Sequence, residues 1–87
     1  MDTMKRAEGK MIKAEWCENW IKSKFEKLPP SANGFECSHF FDMAEAAGLW
    51  VRGTYGSPMS EALEKLTVVE SVHDKNGNLM YHAFRLA

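Results

Sequence analysis

The hydrophobic period of this chain changes near residue 66, and that change limits the folds available to it. Before this point apolar residues recur every three or four positions, as in amphipathic helices. The run Thr67–His73 is rich in β-branched residues, and residues 79–86 alternate as a second strand. The sequence DKNGN between them contains Asn-Gly, a strong hairpin signal. Since an isolated hairpin is marginally stable in water, we expect it to pack on the helices, with Phe84 and Leu86 buried.

Residues 10–28 have the apolar pattern of a first helix. One face carries apolar residues every three or four positions, namely Cys17, Ile21, Phe25 and Leu28. The helix must end before Pro29 and Pro30, because proline lacks an amide donor and disfavours helical geometry in the residue before it. We therefore predict one long helix with a buried face.

A second, shorter helix is predicted over residues 39–47, after a turn at 31–34. Ser38 is a candidate N-cap, and Gly48 suits the C′ position that ends a helix. The residues expected on or beside its inner face are Phe40, Phe41, Met43, Ala44 and Ala47.

A third helix is predicted from Ser57 as N-cap and Pro58 as first helical residue, ending at Leu66. Its expected buried residues are Ala62, Leu63 and Leu66. Ala44 and Gly48 of the preceding helix lie four positions apart and carry little side-chain bulk. We therefore expect the second and third helices to cross closely there.

Three helices followed by a two-stranded ribbon resemble the winged helix-turn-helix superfamily. The run DMAEAAG at 42–48 is similar to the first helix of many helix-turn-helix regulators, and SEALEKL at 60–66 is similar to their recognition helix. Residues 73–81 look like the wing, and the resemblance covers about residues 12–86. It implies an α+β fold, a three-helix winged helix-turn-helix with a C-terminal two-stranded β-hairpin wing.

The chain has 87 residues, enough for one small domain. We expect residues 1–10 to form a flexible arm and residues 11–87 a single winged-helix-like domain. Its two cysteines are expected to be reduced thiols in a cytoplasmic protein, because neither a secretory signal nor an apolar run of the roughly 18–20 residues that span a membrane is present.

The winged-helix resemblance implies double-stranded DNA as partner and a role as a small transcriptional regulator or accessory factor. Cations would neutralise phosphates, the N-terminus of the third helix would suit one phosphate, and the wing would enter a groove. The candidate DNA-binding residues are Arg52, Tyr55, Ser57, Ser60, Lys65, Lys75, Asn76 and Arg85.

The alternative is a winged-helix scaffold that binds a protein. Glu61 and Glu64 make the candidate recognition helix acidic, and a formal net charge of −1 does not attract nucleic acid. Tryptophan is enriched among residues that dominate binding energy at interfaces. The candidate interface residues are Trp16, Trp20 and Trp50.

The sequence offers little for catalysis or metal binding. Cys37 and His39 are two positions apart, but no second ligand pair with the spacing of a zinc site is present. Cys17 falls on an apolar helix face, where a thiol is inert. We therefore expect no enzymatic activity, no metal and no cofactor.

Overall fold

The computed structural model describes residues 12–29, 32, 34–54 and 56–87. These residues form an α+β fold with three helices and a three-stranded antiparallel sheet. The elements in chain order are α1 (Ala14–Glu26), β1 (Phe35–Glu36), α2 (Cys37–Ala46), α3 (Pro58–Leu66), β2 (Thr67–His73) and β3 (Leu79–Leu86). The predicted arm over residues 1–10, and Ser31 and Asn33 of the predicted turn, lie outside the described residues.

The sheet joins the predicted hairpin to a strand that the sequence did not reveal. Strands β2 and β3 pair antiparallel, with Thr67 opposite Leu86 and Val72 opposite Tyr81. Strand β1 pairs with the other edge of β3, so the strand order is β1-β3-β2. The prediction of a sheet with two strands is therefore wrong. The sequence did not reveal β1 because this strand has only two residues, too few to show the alternation of apolar and polar side chains that indicates a strand.

Helix α2 begins two residues before the predicted start. Its first residue is Cys37, so the prediction of Ser38 as N-cap is wrong. The N-cap position belongs to Glu36, whose side chain makes no capping hydrogen bond. Because Glu36 also ends β1, the chain passes from strand to helix without a loop in which a capping serine would be needed.

The C-terminus of α2 is closed by Gly48, as predicted. Gly48 has φ of +75°, its N–H donates to the carbonyl oxygen of Glu45 over 3.0 Å, and the Leu49 N–H donates to that of Ala44 over 2.9 Å. These two bonds form a Schellman motif. The predicted helix crossing at Ala44 and Gly48 is wrong, because a Cβ placed on Gly48 would meet no atom within 4 Å.

Helix α3 packs mainly on α1. Met59 and Leu63 of α3 belong to the same buried cluster as Cys17 and Ile21 of α1. Its predicted start is confirmed, since Pro58 is the first helical residue and follows the N-cap directly. The buried face of α1 therefore packs on the last helix of the chain, where Met59 lies 38 positions after Ile21 (59 − 21 = 38).

Phe40 connects α1, β1 and β3 to α2. Its side chain is fully buried, and its ring centroid lies 5.1 Å from that of Trp20, 5.0 Å from that of Phe35 and 5.8 Å from that of Phe84. Such tilted and edge-on contacts add to the free energy gained by burial. The hydrophobic core therefore lies between the three helices and the base of the sheet.

Two predicted burial assignments at the edges of this core are wrong. Ala47 is exposed, because it caps α2 beyond the last helical turn. Leu86 is 50% exposed, because it lies near the end of β3, past the residues that pair with β1. Ala83 on the opposite face is buried instead, since it is flanked by Glu36 of β1 and Glu70 of β2.

Candidate functional site

The β2–β3 hairpin extends from the end of α3. Thr67 is both the C-cap of α3 and the first residue of β2, and its Oγ1 donates to the carbonyl oxygen of Leu63 over 2.5 Å. The N–H of Ala87 donates to the carbonyl oxygen of Leu66 over 2.9 Å. Both strands are thus fixed to the last turn of α3. Most side chains beyond this base are exposed, so the distal hairpin stands out from the core.

The tip of the hairpin is ordered by Asp74. Its Oδ1 accepts hydrogen bonds from the N–H groups of Asn76 over 2.8 Å and Asn78 over 2.9 Å. These bonds lower the pKa of the Asp74 carboxyl, the largest contribution coming from the N–H of Asn78. The backbone N–H of Asn76, which was predicted to enter a DNA groove, is therefore hydrogen-bonded within the turn. The neighbouring Lys75 is exposed.

Apolar side chains are exposed on both faces of the hairpin. Directly opposed residues of paired strands share a face, so Val69 and Leu86 lie on the face that carries the buried Phe84. Val68 and Tyr81 lie on the other face. We call this set the hairpin apolar surface. Its members and their exposed fractions are Val68 50%, Val69 60%, Leu79 55%, Met80 59%, Tyr81 36% and Leu86 50%.

One ion pair lies within the hairpin apolar surface. The Nη1 atom of Arg85 donates to Oε2 of Glu70 over 2.6 Å. Val68 and Glu70 of β2 and Arg85 of β3 are on one face, since Val68 is directly opposite Arg85. The pair neutralises the single acidic side chain of β2.

Arg52, the candidate phosphate ligand of the turn, is engaged by two carboxylates. Its Nη2 lies 2.8 Å from Oδ1 of Asp42 and 2.8 Å from Oε1 of Glu45. The hydrogen bond to Glu45 makes the largest contribution to raising the pKa of Arg52. Its guanidinium also lies 5.5 Å from the ring centroid of Trp50. The charge of Arg52 is therefore balanced within the chain.

Lys65, on the candidate recognition helix, also faces a carboxylate. Its Nζ lies 3.4 Å from Oε2 of Glu18 on α1. With Glu61 and Glu64 it lines a shallow depression on the outer side of α3. Lys75 alone among Arg52, Lys65, Lys75 and Arg85 makes no ion pair with another described residue. Carboxylates of the chain therefore balance the charges of three of these four cations.

The two candidate serines at the start of α3 contact each other. The Oγ of Ser57 accepts from the N–H of Ser60 over 3.2 Å, which confirms Ser57 as the N-cap, and Ser57 Oγ lies 3.1 Å from Ser60 Oγ. The helix N-terminus is therefore already capped by a side-chain oxygen. Tyr55, the remaining candidate in this region, lies outside the described residues.

The three tryptophans occupy different surroundings. Trp16 is 45% exposed, with Lys13 Nζ 5.7 Å from its ring centroid. Trp20 is half-buried against Phe40. Trp50 is half-buried, with its ring centroid 4.8 Å from that of Phe41. Trp16 is the most exposed of the three, whereas Trp20 and Trp50 cover the edge of the core.

The described cysteines and acidic side chains form no reactive or metal-binding cluster. Both cysteines are free thiols, and burial raises the pKa of Cys17 and of Cys37, each helped by a neighbouring glutamate. Across the described part of the chain, no group of three or more His, Cys, Asp or Glu side chains could hold a metal ion. Nor is any described helix long and apolar enough to cross a membrane.

Sequence reasoning missed the hairpin apolar surface, although a signal for it was present. Apolar residues follow one another directly at Val68 and Val69, and again from Leu79 to Tyr81. Neighbouring residues of a strand point to opposite faces. Adjacent apolar residues therefore predict a strand that is covered on both faces. The helices of this chain cover only part of one face of the hairpin.

Comparison with known proteins identified no relative. The chain matches no protein-family model, no curated protein sequence and no solved structure.

Proposed function

We propose that this domain binds another protein through its C-terminal hairpin, on a scaffold of the winged helix-turn-helix type. The observation that carries the proposal is the hairpin apolar surface, with six large apolar side chains between 36% and 60% exposed. Large apolar side chains exposed together on one element of a small domain are typical of a binding site. It gains free energy when a partner excludes water from it.

The order of elements supports the winged-helix part of the proposal. Three helices precede a hairpin, and α3 runs directly into β2. The third strand, β1, lies between α1 and α2 in the chain and joins the sheet at the other edge of β3, so the hairpin keeps its place after α3. In this arrangement the hairpin is the element that would serve as the wing.

The charges around the proposed recognition helix favour protein over DNA as partner. Arg52, Lys65 and Arg85 all have carboxylate neighbours within 4 Å. A DNA phosphate would have to displace these neighbours, and nearby carboxylates repel it. Glu61 and Glu64 are exposed on α3, where base-edge contacts would be made.

DNA binding as a winged-helix regulator is the second candidate function. Lys75 favours it, because this cation is exposed at the tip of the hairpin and makes no ion pair with another described residue. A wing that carries such a cation can contact a phosphate.

Site-specific photo-cross-linking tests protein binding. A benzophenone amino acid replaces Tyr81 on the hairpin or, as matched control, the exposed Asn19 on α1, in cells that produce the chain. We expect a discrete protein adduct from position 81 and none from position 19, read by mass spectrometry. No adduct from position 81, or equal labelling from both positions, would overturn the proposal.

Fluorescence anisotropy with a labelled duplex tests the DNA alternative. At about 50 mM salt, where phosphate contacts are strong, we expect no saturable binding by the purified chain. Saturable binding that Lys75→Ala weakens and added salt abolishes would instead establish the second candidate. Lys22→Ala, which removes an exposed cation from α1, is the control for a general charge effect.

A further inference from the structure

We propose that the protein bound by the hairpin is a second copy of this chain, paired antiparallel along the free edge of β2. The two three-stranded sheets would then form one continuous six-stranded sheet. This inference rests on the function proposed above, since it names the partner at the same hairpin.

The first observation is that β2 is an open edge. The strand order is β1-β3-β2, and no described segment pairs with the outer side of Thr67–His73. Every second residue of an edge strand directs its N–H and C=O away from the sheet, where they can pair with another strand. The edge therefore has unused hydrogen-bonding capacity along seven residues.

The second observation is that β2 lacks the usual protection of an edge. Its sequence TVVESVH contains no lysine, arginine or proline, the residues that commonly prevent edge-to-edge pairing. Its one bulge lies between Val72 and His73, so pairing with β3 is regular over the rest of the strand. At the opposite edge of the sheet, β1 has only two residues and continues into α2, so that edge is short.

The third observation indicates that the partner contributes a strand beside β2 rather than a surface packed on one face of the sheet. Val68 is 50% exposed on one face of β2, and Val69 is 60% exposed on the other. A partner that packs on one face leaves the opposite valine in water. A strand beside β2 places its own side chains above and below the sheet, so it covers both.

The fourth observation favours a second copy. An antiparallel edge is complementary to itself under a two-fold axis normal to the sheet, so each copy supplies the same donors and acceptors. Registers centred on Val69 or on Ser71 set Glu70 opposite Val68 or Val72 of the other copy and avoid opposing two carboxylates. The Arg85 contact further neutralises Glu70, and a formal net charge of −1 gives little repulsion between copies.

Sedimentation equilibrium of the purified full chain tests the proposal. We expect a concentration-dependent dimer that Val69→Lys weakens about tenfold or more, because a lysine at the edge resists strand pairing. Val68→Lys should do the same from the opposite face. The matched control is Val51→Lys, which makes the same substitution at a 46% exposed valine after α2, outside the sheet and the hairpin apolar surface. It should change the dissociation constant less than about twofold.

Circular dichroism shows whether each variant is folded. Because two edge variants are made, the test can still be read if one of them does not fold. A dimer that neither edge variant weakens, or that Val51→Lys weakens equally, overturns pairing along β2. A monomer at every concentration, together with an adduct from position 81 to a different protein, overturns the second copy but leaves the proposed function. A monomer that gives no such adduct overturns both.

Discussion

The backbone carbonyl oxygen of Phe84 occupies the place where a side chain at position 34 would begin. Gly34 has φ of +137°, and a Cβ built on it overlaps that oxygen. We expect Gly34→Ala to lower the free energy of unfolding by about 3 kcal/mol, because the substitution adds both backbone strain and a backbone overlap. Urea denaturation measures the change.

Gly48→Ala separates the overlap from the strain. Gly48 also has positive φ, +75°, but a Cβ there meets nothing within 4 Å. We expect a cost of about 1 kcal/mol, that of placing alanine in the left-handed region. Equal costs for the two variants would contradict the close approach of Gly34 to β3.

The start of α3 gives a second prediction. Ser57→Ala removes the oxygen that accepts the N–H of Ser60, and we expect it to destabilise the domain by about 1 kcal/mol in urea denaturation. Ser38→Ala is the control, because Ser38 lies inside α2 and is exposed. It should be neutral or stabilising by about 0.3 kcal/mol, since alanine has the higher helix propensity. A loss at Ser38 as large as that at Ser57 would show that Ser38 caps α2 after all.

Two methionines give a matched test of the core. Met59 on α3 is fully buried, whereas Met80 on β3 is 59% exposed. We expect Met59→Ala to cost about 2–4 kcal/mol, because it leaves a cavity, and Met80→Ala less than about 0.5 kcal/mol. Thermal and urea unfolding compare the two. A large cost at Met80 would indicate that the distal hairpin is covered in the isolated chain.

The hairpin tip should respond to pH through Asp74. Its folded-state pKa is lowered, so the carboxylate stabilises the turn fully above its ordinary pKa of about 3.9. This stabilisation is lost as the pH falls through the lower folded-state value. The Asn78 amide, followed by NMR between about pH 2 and 6, should therefore titrate with a midpoint below 3.9. In Asp74→Asn this titration should disappear, while a wild-type midpoint at or above the ordinary value would contradict the hydrogen bonds.

Much of the fold was predictable because local signals determined it. The spacing of Cys17 and Ile21 predicted the buried face of α1, and Ser57 and Pro58 predicted the start of α3. Strand β1 was not predictable, because its two residues are extended only through pairing with Phe84 and Ala83, far along the chain. The burial of Ala83 depends on the same pairing and could not be derived from alternation in β3.

The surface was less predictable than the fold. Arg52 suggested a phosphate ligand by its residue type. In the fold, however, the turn after α2 brings its Nη2 to 2.8 Å from carboxylate oxygens of Asp42 and Glu45, which already pair with its charge. The spacing of those two acids on a helix was visible in the sequence, whereas the return path of the chain was not. The exposure of Val68 and Val69 likewise depends on how little of the hairpin the helices cover.

No loop separates α3 from β2, since Leu66 ends the helix and Thr67 begins the strand. A rotation of α3 would therefore be transmitted directly to the hairpin. A strand of seven residues is roughly 23 Å long at about 3.3 Å per residue, so tilting the helix by about 5° displaces the tip by about 2 Å. A partner that displaces the tip would therefore also displace Met59 and Leu63 in the core, and repacking of that core would in turn change the position of the tip.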